Sequence, residues 1–134
     1  MAQQIMLKQV NKPFRNDLHT DIEWVCESFG LCSGRDLDRI STQIVQGVLT
    51  HHYDPVLSSQ MLAEELDIAL GRVHHHLRHL METGLLYREK RQIVLRGGSL
   101  KMAVRELRQD AERIFSEIEY IAEKIDKELG VKGR

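Results

Sequence analysis

Four histidines crowd one short stretch, His74, His75, His76 and His79, with Arg72 and Arg78 among them. Imidazoles hydrogen-bond, titrate near neutrality and ligate metals. Guanidinium groups fork to guanine edges or pair with phosphate. At helical spacing His75 and His79 are i, i+4 neighbours that can share one ion. The consecutive His74, His75 and His76 splay around a helix and cannot converge on one. No carboxylate or thiol is placed to complete a tetrahedral set. Polar surface side chains with one packed histidine, His76, are therefore the favoured reading, and no metal or cofactor is expected. A second cationic group, Arg88, Lys90 and Arg91, follows closely. A third candidate is the thiol pair Cys26 and Cys32, with His19, His51 and His52 in neighbouring elements. A metal or redox sensor is one reading of that pair. A buried, inert Cys26 on the apolar face of its helix is the commoner one. No phosphate-cradling glycine motif, G-x-S-x-G elbow or H-E-x-x-H occurs, so no enzyme is expected.

The elements that would position these groups are mostly helical. A first helix is predicted from Asn16 as N-cap to Gly30 as stop, with Leu18, Ile22, Val25, Cys26 and Phe29 on one face. A second is capped by Ser33, helped by Asp36. Its stripe is Leu37, Ile40, Ile44, Val45, Val48 and Leu49, and Tyr53-Asp54-Pro55 ends it. Ser58 caps a short helix with Leu62, Ala63 and Leu66. After Asp67-Ile68 a longer helix, about Ala69 to Thr83, turns Val73, Leu77 and Leu80 inward. Small Ala63 suits a close crossing of these two helices, and Ile68 plugs the turn between them. Gly71, His75, Arg78 and Glu82 then point outward, with Arg72, His74 and His79 on the flanks. Residues 86–96 read as a hairpin with a polar turn at Glu89 to Gln92. From a cap at Ser99 to Leu129 nothing breaks a helix about 45 Å long. Along it Leu100, Val104, Leu107, Ala111, Ile114, Ile118, Ile121 and Ile125 recur at steps of four and three, a coiled-coil dimerisation seam. Residues 1–13 fit a strand, a helix or a loose arm alike. Trp24, Tyr53 and Tyr87 read as seals between elements rather than a ligand pocket.

Composition narrows the function classes. The chain has 134 residues, 42% hydrophobic and 29% charged. It is too apolar for disorder, too charged for a membrane protein, and without a run of ~20 apolar residues. The opening Met1-Ala2-Gln3-Gln4 lacks a basic region before an apolar run, so no export signal is expected. Two cysteines make no disulfide scaffold, and a reducing, cytoplasmic setting follows. With a net charge of -1, bulk attraction to polyanions is excluded and any such binding needs a local patch. That patch exists. Residues 68–98 hold six cations (Arg72, Arg78, Arg88, Lys90, Arg91, Arg96) against Glu82 and Glu89, a local charge of +4. Residues 35–67 hold two cations against six carboxylates, a charge of −4.

The run Leu57-Ser58-Ser59-Gln60-Met61-Leu62-Ala63-Glu64-Glu65-Leu66, through Val73-His74-His75-His76-Leu77-Arg78-His79-Leu80 to Gly84-Leu85-Leu86, resembles the ArsR-like winged helix-turn-helix transcription regulators. It looks closest to their archaeal members. The likeness covers about residues 35–96, and the last helix is similar to the dimerisation helix many of these proteins carry. The resemblance implies a mainly α fold: a winged helix-turn-helix with a short β-hairpin wing and a long C-terminal coiled-coil helix. The organisation expected is an N-terminal arm and helix over 1–34, a winged-helix domain over 35–98 and a dimerisation helix over 99–134. Two features depart from the family pattern. Met61-Leu62-Ala63-Glu64-Glu65 and Asp110-Ala111-Glu112-Arg113 lack the ligands of its metal-sensing members. Ala69-Leu70-Gly71-Arg72 opens the recognition helix where Ser or Thr is usual.

The function expected is a homodimeric, sequence-specific regulator of transcription that binds double-stranded DNA, with its effector unknown. Arg72, His74, His75, Arg78 and His79 would face bases. Arg88, Lys90 and Arg91 would clamp the backbone, and Ser58 and Ser59 would touch phosphate. The alternatives are a winged helix used for protein contact and a metal- or redox-responsive regulator using Cys26 and Cys32.

Overall fold

The computed structural model of the chain describes residues 2–32, 39–52 and 57–134. These residues hold α1 (Leu18–Ser28), α2 (Ile40–Thr50), α3 (Ser59–Leu66), α4 (Leu70–Thr83), the strands β1 (Leu86–Glu89) and β2 (Gln92–Leu95), a 3-10 turn (Arg96–Gly98) and α5 (Leu100–Leu129). The architecture is mainly helical, with one two-stranded antiparallel sheet and a long C-terminal helix.

Side-chain chemistry explains most of the helix ends. Asp17, one residue later than expected, caps α1 by accepting from the Thr20 amide at 2.8 Å. Leu18 then falls on the outside and is exposed, contrary to its predicted place on the apolar face, while Ile22, Cys26 and Phe29 are buried as predicted. Gly30, at φ +67°, reverses the chain, and the Leu31 amide donates back to the Cys26 carbonyl at 2.9 Å. The predicted cap at Ser33, with Asp36 and Leu37, and the stop at Tyr53-Asp54-Pro55 lie outside the described residues. Within them α2 begins at Ile40, after Arg39 in a left-handed conformation. Ser58 caps α3 through the Met61 amide, Ser99 caps α5 through the Met102 amide, and Gly84 and Gly130 close α4 and α5.

One apolar core runs from Ile22 to Leu107. Ile40, Ile44, Val45 and Val48 of α2 sit at its centre, and Val73, Leu77 and Leu80 seat α4 on it as predicted. α2 and α3 approach closely at Gly47, where a Cβ would lie 3.0 Å from Leu62 Cδ2. Ala63 and Ile68 are half-buried at the core's edge. Because Ile22 of α1 and Ala103 and Leu107 of α5 belong to this core, boundaries near 34 and 98 divide the chain but not the packing.

Residues 2–13 form neither helix nor strand. They run as a strap. The Gln4 amide donates to the Glu82 carbonyl at 3.0 Å, the Lys8 amide to the Ser28 carbonyl at 2.8 Å, and Trp24 Nε1 to the Val10 carbonyl at 3.0 Å. Trp24 thus seals a seam between elements, as expected of it.

Candidate nucleic-acid interface

The underside of α4 is buried and its outer side is open. Leu70, Gly71, Arg72, His74, His75, Arg78 and His79 are all exposed. His74 and Arg78 border a cleft of about 770 Å³ whose other walls include Tyr87 and Arg88 of β1, Gln3 of the strap and Glu106, Asp110 and Arg113 of α5. His75 and His79 lie on the opposite flank, beside Ile5 and Met6 of the strap. The predicted base-facing residues therefore divide between two sides of one ridge. The His75 ring meets those of His76 and His79 edge-on, at 5.2 and 5.1 Å between centroids. His79 Nδ1 lies 3.8 Å from Glu82 Oε2. His76 is half-buried with Nδ1 3.2 Å from Ser41 Oγ, the packed position expected for it. Among the described residues no group of three or more histidine, cysteine or acidic side chains is placed to hold a metal ion.

The hairpin pairs Leu86 with Leu95, Tyr87 with Val94, Arg88 with Ile93 and Glu89 with Gln92. Its turn is Lys90-Arg91, at φ +51° and +69°. Positive φ at both central residues is the type I′ geometry, whose twist matches the strands and which favours Asn-Gly. Non-glycine residues there are strained by roughly 1–2 kcal/mol each. The strained pair here is two exposed cations at the tip of the hairpin.

Arg88 leans from β1 to the start of α3, where its guanidinium donates to Ser59 Oγ at 2.9 Å. This corrects the expectation for Ser59. It is 6% exposed with its hydroxyl engaged by Arg88, so Arg88 is the polar group displayed there. Ser58 is half-buried, and its hydroxyl is the cap of α3.

Arg96 also departs from its predicted place in the basic patch. It makes two bonds to the Asp110 carboxylate, through Nη1 to Oδ2 and through Nη2 to Oδ1, the latter at 3.0 Å. Its Nε lies 3.5 Å from Glu106 Oε1. Asp110 is buried, and it further accepts from Gln3 Nε2 at 2.8 Å and Arg113 Nη2 at 3.2 Å. Gln3 Nε2 also reaches the Thr83 carbonyl at 2.9 Å. This network locks strap, α4, hairpin and α5 together, and sequence reading missed it because its members are far apart in the chain. Arg96 leads the groups that hold the Asp110 carboxyl down to about 2, with Gln3 and Arg113 adding to it against burial. A depressed carboxyl stabilises the fold above its unfolded value, and that contribution is lost as pH falls from 3.8 towards about 2. Asp110→Asn should remove roughly 2 kcal/mol at pH 7 and flatten the fall in stability below pH ~4, measured by denaturant titration across pH.

The predicted seam on α5 is split by packing. Leu107 is 1% exposed and belongs to the chain's own core, and Leu100 and Val104 are half-buried against it. These three therefore leave the proposed dimer face. Ala111 and Ile114 are half-buried, and beyond them Ile118, Ile121 and Ile125 are 59, 50 and 51% exposed. Phe115, Tyr120 and Leu129 are exposed beside them. Phe115, Ile118, Ala122, Ile125 and Leu129 keep the three-four spacing in a second register, which shares Ile118 and Ile125 with the one first read and takes Phe115 and Ala122 in place of Ile114 and Ile121.

A scan of protein-family models and searches of curated proteins and of solved structures each return no match to this chain. No described helix is long and apolar enough to cross a membrane.

Proposed function

We propose that the protein is a cytoplasmic, homodimeric transcription regulator of the ArsR-like winged-helix type, which binds duplex DNA with α4 in the major groove and the hairpin on the flanking backbone. The observation that carries this reading is the Lys90-Arg91 turn. A hairpin tip that prefers Asn-Gly instead displays two cations in strained backbone, and strain kept at an exposed tip points to a use for those charges. Arg88 on the same hairpin and Arg78 across the cleft extend the cationic surface onto α4. The free half of α5, with isoleucines at heptad spacing, supplies the dimer contact.

The direct test is binding to random-sequence duplex DNA by fluorescence anisotropy between 50 and 200 mM salt, concentrations over which phosphate-contacting proteins lose affinity steeply. Micromolar or tighter affinity that falls steeply with salt is expected. Absence of affinity at the lowest salt would replace this reading with a protein-contact module.

The turn also allows a prediction in which stability and binding move in opposite directions. Lys90→Asn with Arg91→Gly relieves the strained φ values and should stabilise the protein by about 1–3 kcal/mol. The same variant should bind duplex DNA more weakly. Thermal unfolding and anisotropy on the one sample check both signs.

A further inference from the structure

We infer that Cys26 and Cys32 form a peroxide-oxidisable dithiol, with Cys32 the attacking thiolate and Cys26 the resolving thiol. The site depends on the fold and stands whether or not the protein binds DNA. The reversal at Gly30 carries Cys32 back over the end of α1 until the two thiols share a hydrogen bond. Cys26 is fully buried and Cys32 half-buried, and neither is in a disulfide. On its other side Cys32 Sγ lies 3.4 Å from Thr42 Oγ1 in the first turn of α2. Arg39 adds a positive charge and a hydrogen bond to the same sulfur. Its guanidinium is held by Glu23 and Glu27, each at 3.5 Å.

These neighbours shape the chemistry. The hydrogen bond from Cys26 is the largest influence on the Cys32 thiol. With Thr42 and Arg39 it outweighs burial and brings the thiol down from 9.0 to about 7. A large thiolate fraction is therefore present at neutral pH, on the more accessible of the two sulfurs. The thiolate attacks one peroxide oxygen, the O–O bond breaks, and hydroxide leaves with its electron pair, giving a sulfenic acid on Cys32. The Cys26 sulfur then attacks the Cys32 sulfur. An S–S bond forms, the S–O bond breaks, and the departing hydroxide takes up the Cys26 proton as water. Two thiols are oxidised, one peroxide is reduced, and a dithiol reductant reverses the change by exchange.

The disulfide would withdraw the Cys32 sulfur from Thr42 and remove one of the negative partners of Arg39, leaving Glu23 and Glu27. Thr42 is buried next to Ser41, whose hydroxyl meets the His76 imidazole on α4. Oxidation thus acts one residue from a side chain that seats α4.

The test treats reduced full-length protein with stoichiometric hydrogen peroxide under native conditions. Expected are the loss of both thiols, a Cys26–Cys32 link in peptide mass mapping, and full recovery with a dithiol. Cys26→Ala, which loses the largest influence on the Cys32 thiol, should react more slowly and stop at a Cys32 sulfenic acid that dimedone traps, and Cys32→Ser should form no such adduct. Iodoacetamide on the wild type gives the same assignment without a core substitution: Cys32 alkylates first, half-maximally near pH 7. An unreactive Cys32, prior reaction at Cys26, or a disulfide joining two chains would overturn the proposal. Imidazole NMR signals of His76 should move on oxidation. Unmoved signals would overturn the link to α4 while the dithiol stands.

Discussion

Replacing Arg78 and Arg91 together by alanine should weaken binding to duplex DNA by at least 30-fold, about 2 kcal/mol or more. Arg78 stands on the open side of α4 and Arg91 at the tip of the hairpin, so the pair removes one charge from each half of the proposed surface. Every protomer loses two cations and a homodimer loses four. Each phosphate contact contributes close to one unit to the slope of log affinity against log salt. If both arginines touch phosphate, the slope should become shallower by about four; if Arg78 reads a base instead, by about two. Both side chains are exposed, so the fold should tolerate the change with little loss of stability. Lys124→Ala with Lys127→Ala, which likewise removes two cations per protomer, is the charge-matched control. Both lie near the far end of α5, Lys127 3.3 Å from Glu123, and their loss should leave affinity unchanged. Equal losses from the double variant and from the control would mean that net charge alone matters and that the α4–hairpin surface does not.

Ile118→Asp with Ile125→Asp should convert the protein from a dimer into a monomer of 15.5 kDa, read by sedimentation equilibrium or light scattering. Burying an isoleucine stabilises an interface by roughly 1.5–3 kcal/mol, and the double variant withdraws four from a symmetric pair of helices. A loss of this size exceeds most of what a short coiled coil provides, and it places charges in the seam as well. Because both side chains are exposed in the single chain, the core from Ile22 to Leu107 should remain folded, which far-ultraviolet circular dichroism would verify. DNA affinity should fall in parallel, since one protomer presents only one copy of α4. Leu107→Asp should instead unfold the protein, because that residue is buried in its own domain. A wild-type protein that is already monomeric at tens of micromolar would remove the dimer from the proposed function.

The two variants on α5 show how far periodicity reaches. Leu107 and Ile118 belong to the same four-three pattern and look alike in the chain. Spacing reports that a face is apolar but not which surface covers it. Packing makes the distinction: the domain extends along α5 only to about Asp110, and the rest of the helix runs past it. Arg96 and Arg91 make the same point for charge. Both count equally in the local sum of +4, but one is spent on Asp110 and Glu106 and the other stands at a turn tip. Such pairings join residues on different elements, and no local pattern announces them.

Local interactions made much of the fold readable from the chain. The caps at Ser58 and Ser99, the stops at Gly30, Gly84 and Gly130, the inward stripe Val73-Leu77-Leu80 and the hairpin between Leu86 and Leu95 each depend on residues within a turn or two of one another. Tertiary structure alone decided the rest: the strap's path, the burial of Ser59 beneath Arg88, the Gln3–Arg96–Asp110 network and the meeting of Cys26 with Cys32 and Thr42. In each of these the energy comes from groups brought together by the packed core, and removing a charge or hydroxyl from water is favourable only once its distant partner is in place.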